Sequence, residues 1–129
     1  LPISRVFDNL LRNAIAYSYP GTNIDIRAFG EQKDIIITFS NQGDQIPPQK
    51  LNFIFEKFYR VDNARQSRTG GAGLGLSIAK EIVELHGGAI AASSSPVCTR
   101  FTVKLPRHEE AQPAAAKKWG RIAKNGGKE

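Results

Sequence analysis

Residues 68–88 read RTGGAGLGLSIAKEIVELHGG, with glycines at 70, 71, 73 and 75 ahead of an apolar-periodic run. The first-turn amides of a helix lack internal partners and lie at the positive end of its dipole. Glycines there let a phosphate come close with no Cβ in the way. Two better-known phosphate loops do not fit. Gly71-Ala72-Gly73-Leu74-Gly75 has the wrong spacing for G-x-G-x-x-G and follows a polar loop, and Leu76-Ser77 offers no lysine for a P-loop. The stretch is therefore either a phosphate-binding helix start or a hinge without a ligand.

Other residues fit the first alternative. Asn9 and Asn13 stand four apart, so a helix would aim both amides the same way. Neutral amides suit Mg2+ already carried by polyphosphate, because Mg2+ takes few protein ligands besides water and phosphate oxygens. The alternative is a solvated face, although asparagine is a mediocre helix former. Lys57 and Arg60 flank Phe58 after Phe55. The aromatics would anchor one end of a loop, and the cations would reach phosphate oxygens or simply face water.

These residues need a scaffold. Ile3, Val6, Phe7, Leu10, Leu11, Ala14 and Ile15 give helical periodicity over 2–18, stopped by Pro20-Gly21. Residues 22–29 alternate through Ile24, Ile26 and Ala28, and 35–41 alternate again, predicting an antiparallel hairpin. Pro47-Pro48 opens a short helix through QKLNFIFEKF. Residues 60–72 have no period, and a loop of that length is more often functional than idle. A helix over 75–86 turns Leu76, Ile78, Ala79, Ile82, Val83 and Leu85 inward, with Gly87-Gly88 as its stop. Residues 89–95 and 99–105 form a second hairpin. This order predicts an α+β fold, a two-layer α/β sandwich with a mostly antiparallel sheet covered by helices on one face.

The chain of 129 residues is expected to hold one domain over 1–106 and a disordered or appended tail over 107–129. A docking helix through Ala114 to Ile122, anchored by Trp119, is the alternative for the tail. The net charge is +6, and the tail's six Lys/Arg against three Glu supply half of it. The body thus lacks the basic stripe of a nucleic-acid binder. The single Cys98 excludes an internal disulfide framework and a four-cysteine metal site, and it reads as a small packed residue in a reducing compartment. No signal peptide or membrane-length apolar run is visible.

DNLLRNAIAYS, NQGDQIP, FEKFYR and GGAGLGLSIAKEIVELHGG follow one another in that order, and TRFTVKLP closes the pattern. The series resembles the N box, first glycine box, F box and second glycine box of the catalytic, ATP-binding domain of sensor histidine kinases. That domain belongs to the wider group containing DNA gyrase and the ATP-driven heat-shock chaperones. The resemblance covers about residues 3–106, and the run IFEKFYRVDNARQSRTGGAGLGLSIAKEI is especially similar to the vancomycin-resistance sensor kinases.

The resemblance implies that ATP and Mg2+ lie between the first helix and a lid over about 58–72. Asn13 and Asn9 would hold the metal or orient the polyphosphate. Tyr17 would pack on the base, and Asn41 and Gly43 would stand at the base-reading box, with Thr99 beside it. Lys57 and Arg60 would neutralise phosphate charge and, with Asn9, serve catalysis. Gly71, Gly73, Leu74 and Gly75 would cradle the phosphates. The γ-phosphoryl group would pass to a histidine on an upstream dimerisation domain and then to a response regulator. The whole protein would be a plasma-membrane sensor with this domain in the cytoplasm.

Four departures stand out: Asn41 for aspartate, Gln45 for the second glycine, Ala16 for a frequent lysine, and Cys98 for glycine. A neutral Asn41 forfeits a charge-assisted bond to the base. His86 reads as a helix-end residue rather than a phosphate acceptor, and His108 is no better a candidate. The chain opens at the N box, so an earlier strand of the usual domain is expected to be missing, which would leave a sheet edge open. Two rival readings are an ATPase clamp, which would need a carboxylate at Asn9 to activate water, and a module that has lost its nucleotide.

Overall fold

The computed structural model describes residues 2–61 and 74–107. Helix α1 spans Ser4–Tyr17, and strands β1 (Asp25–Glu31) and β2 (Asp34–Asn41) follow. A single turn of helix, α2, covers Pro48–Leu51. Helix α3 covers Gly75–Leu85, and strands β3 (Ala89–Ser94) and β4 (Thr99–Pro106) complete the sheet. The strands lie in the order β1-β2-β4-β3, every pair antiparallel. This is the α+β sandwich that the element order predicts.

Strand register explains the core. Phe39 pairs with Phe101, and Phe101 with Ala92; Ile37 pairs with Val103, and Val103 with Ile90. Side chains two apart share a face, so these rows all turn the same way. Val6 and Leu10 of α1 and Ala79, Ile82 and Val83 of α3 close over them, together with Ile54. Burial of such residues, each worth roughly 1.5–3 kcal/mol in transfer terms, is what holds the two layers together. The next row in the same register is polar: Asn41 pairs with Thr99, and Thr99 with Ser94. The apolar rows thus give way to a polar edge at one end of the sheet.

The stops of α3 are those its sequence predicts. Gly87 adopts φ +78°, Gly87 N–H donates to the Glu84 carbonyl at 3.0 Å, and Gly88 N–H donates to that of Val83 at 2.9 Å. This is the Schellman arrangement. His86 is tied into it, with Nδ1 2.8 Å from the Ile82 carbonyl oxygen.

Three expectations need correction. The short helix stops at Leu51, and a series of turns follows, with Phe58 at φ +65°. Phe55 packs edge-on against Phe101, but Phe58 is 69% exposed and anchors nothing in the core. Leu85 ends α3 at 67% exposure, so the inward stripe stops at Val83. Every residue of β1 is exposed, although Ile26 and Ala28 pair with Phe39 and Ile37 on the helix-facing side. The helices lie chiefly over the other three strands.

Candidate functional site

On α1, Val6, Leu10 and Ala14 form the buried row. Asn9, Asn13 and Tyr17 form the adjacent row at the same four-residue interval. That row runs from the start of α3 to the polar end of the sheet. At its first position, Asn9 Nδ2 donates to the Gly75 carbonyl at 3.1 Å. Asn13 and Tyr17 line a cavity that contains about 700 Å³ of empty space, part of it open to solvent.

The sheet supplies the facing wall. Asn41 from the end of β2, and Thr99 and Phe101 from β4, line the cavity. Asp44, Gln45 and Ile46 follow from the segment after β2, and Leu76 from the first turn of α3. Ile54, Tyr59 and Val61 complete the lining. Four residues named by the resemblance, Asn13, Tyr17, Asn41 and Thr99, therefore share one cavity although they come from three elements.

Hydrogen bonds hold this end of the sheet. Ile46 N–H donates to Ser94 Oγ at 2.9 Å, and Ser94 Oγ lies 2.7 Å from Thr99 Oγ1. Gln45, where the resemblance expects glycine, reaches across to the Ser94 carbonyl, with Nε2 donating at 3.5 Å. Tyr19 O–H donates to Asp44 Oδ1 at 2.8 Å. Asn41 differs from its neighbours: it is 4% exposed, and its side-chain amide makes no hydrogen bond among the described residues. A buried amide without a partner costs about 1–3 kcal/mol. A ligand that brings its own donor or acceptor removes that penalty, so this wall suits a polar group.

Gly43 is buried but outside the lining. A Cβ there would collide with the Tyr17 carbonyl oxygen. The close approach arises because Ser18 and Gly43 form an isolated antiparallel bridge. Gly43 thus brings the end of α1 against the segment after β2.

Leu74 and Gly75 lie at the N-terminus of α3. Leu74 provides no side-chain cap for the first-turn amides, and a Cβ on Gly75 would meet nothing within 4 Å. Among the described residues, open space thus coincides with first-turn amides that no side chain caps, the setting in which a helix N-terminus can take an anion. Lys57 is exposed and Arg60 half-buried, and neither lines the cavity. Gly71, Gly73 and the greater part of the expected lid lie outside the described residues, as do His108 and the tail from 108 onward. Arg12 pairs with Asp8 at 2.9 Å on the exposed side of α1. That hydrogen bond and the attached charge raise the Arg12 pKa, but the pair takes no part in the cavity.

Sequence reasoning missed Ile54, Tyr59, Val61 and Ser94. Ile54 lies in the expected short helix that the structure replaces with turns after Leu51, Tyr59 and Val61 lie at the start of the stretch without a period, and Ser94 is legible only through the strand register.

Residues 1–109 match the family described as histidine kinase-, DNA gyrase B- and HSP90-like ATPase. The chain belongs to that ATPase family. Among curated relatives, sensor protein VanS of Enterococcus faecium is 57% identical over 81% of this chain and 27% of its own length. Sensor protein VanSC of Enterococcus gallinarum is 47% identical over 81% of this chain and 29% of its own. The chain thus spans little more than a quarter of the length of these relatives. The solved structure of the mycobacterial sensor histidine kinase MprB superposes with a TM-score of 0.69 at 32% identity, covering 79% of this chain and 68% of that one. The ATPase-family fold and its relation to sensor kinases thus agree with what the boxes imply.

Proposed function

We propose that this chain is the ATP-binding catalytic domain of a two-component sensor histidine kinase. It would hold ATP with Mg2+ and donate the γ-phosphoryl group to a histidine on a separate dimerisation domain. The observation that carries this reading is the convergence of Asn13, Tyr17 and the buried Asn41, whose side chain has no hydrogen-bond partner among the described residues, on one cavity beside the start of α3, which no described side chain caps. Tyr17 offers an aromatic face to a base, and Asn41 offers polar atoms to its edge. Asn13 and Asn9 offer amide oxygens toward the polyphosphate. Asn9 uses its Nδ2 on Gly75, which leaves its oxygen as the available group. Mg2+ fits this donor set because it needs only one or two protein oxygens when phosphate supplies the rest.

Phosphoryl transfer asks mainly for positioning and charge neutralisation. The α3 amides with Gly71, Gly73, Leu74 and Gly75 would orient the phosphates, and Lys57 and Arg60 would offset their charge. The response regulator would be reached through the histidine domain. Among the described residues no helix is long and apolar enough to cross a membrane, so attachment to the cytoplasmic face would rest on other parts of the protein.

The test is transfer in trans. With labelled ATP and Mg2+, a purified histidine-bearing dimerisation domain of a VanS-type kinase should become labelled when this chain is added, while this chain alone should not. Stable labelling of His86 would contradict the reading.

A further inference from the structure

Asn41 is placed to decide which purine the cavity accepts, and we infer that it admits 6-amino and 6-oxo purine nucleotides alike. This deepens the proposed function and rests on it. An aspartate at this position would be acceptor-only, so it would favour a 6-amino group and repel a 6-oxo group. An asparagine carries an acceptor and a donor on one pivot. Usually a neighbouring protein group fixes which atom faces the ligand. Among the described residues none does: Asn41 is 4% exposed, lines the cavity, and its side chain has no hydrogen-bond partner there.

Its register neighbour has the same freedom. Thr99 is 5% exposed, and its hydroxyl lies 2.7 Å from Ser94 Oγ with either oxygen able to donate. Ser94 Oγ already accepts from Ile46 N–H, yet keeps one proton and one lone pair, so both senses remain open. The buried polar wall is therefore reversible at both positions. Asp44, the carboxylate of the lining, is exposed and accepts from Tyr19 O–H.

ATP and inosine triphosphate isolate the point, because neither has a 2-substituent. They differ at the 6-position and in the protonation of N1 that follows from it. Each is titrated calorimetrically with Mg2+ into the full chain and into Asn41→Ala. The two nucleotides should bind the unaltered chain within about tenfold of each other, the equivalent of one discriminating hydrogen bond. Asn41→Ala should weaken both by a similar factor. An inosine nucleotide bound more than about tenfold more weakly than ATP overturns the inference while leaving the nucleotide site standing. A loss confined to ATP in Asn41→Ala does the same. Absence of binding by either nucleotide to the unaltered chain overturns both the inference and the proposed function.

Discussion

The backbone of Gly43 lies against the carbonyl of Tyr17 so closely that no Cβ fits between them. That contact ties the C-terminal end of α1, which carries Asn13 and Tyr17, to the segment leaving β2 just after Asn41. The helix and sheet walls of the cavity are thereby fixed relative to each other by backbone. Gly43→Ala should push Tyr17 and the nearby Asn41 amide, whose Nδ2 would lie 3.2 Å from the added Cβ. Overpacking of this kind costs about 1–3 kcal/mol. Urea unfolding should show that loss, and an unchanged midpoint would mean that the bridge yields easily.

Asn9 joins the two helices through the Gly75 carbonyl. Asn9→Ala should lower stability by about 1 kcal/mol, the net worth of one hydrogen bond. On the proposed function it should reduce the rate of transfer more than it reduces ATP affinity, because it acts at the phosphate end. Single-turnover transfer and equilibrium titration together separate the two effects. Equal losses in both would assign Asn9 a uniform binding role.

Much of this arrangement is legible in the sequence. The periodicities place α1, α3 and the four strands, and the Gly87-Gly88 pair marks the end of α3. The polar row Asn41, Thr99 and Ser94 is different. Asn41 and Thr99 draw notice through resemblance, whereas Ser94 becomes visible only when β3 is set against β4. Ile54, Tyr59 and Val61 belong to a run of turns whose aromatic residues pack in different directions. Phe53 lies 5.8 Å from Tyr59, and Phe55 lies 6.1 Å from Phe101. Such packing depends on tertiary partners and leaves no local period. The exposure of β1 was also hidden, since alternation reports which face a side chain takes and not whether a helix covers it.

Ser94 holds three segments at the polar end of the sheet. Ser94→Ala removes the acceptor of Ile46 N–H and the partner of Thr99. A loss of about 1–3 kcal/mol should follow from the buried groups left unpaired. ATP binding should weaken as well, because Thr99 then has no neighbour to hold its hydroxyl. Thermal unfolding and titration check both, and a fully stable variant would mean that water replaces the serine.

Ile82 is fully buried at the centre of the helix–sheet interface. Ile82→Ala should destabilise the domain by about 2–5 kcal/mol through lost transfer energy and the cavity left behind. By contrast, Leu85→Ala at the exposed end of α3 should shift stability by less than about 0.5 kcal/mol. Comparable effects at the two sites would contradict the packing described for α3.

The most direct measurement is calorimetric titration of ATP with Mg2+ into this chain and into Asn13→Ala. Saturable binding that weakens by about tenfold or more in the variant, as the loss of one charge-assisted contact gives, is the predicted result. Equal binding in both would remove Asn13 from the site, and no binding in either would contradict the assignment of this cavity to ATP.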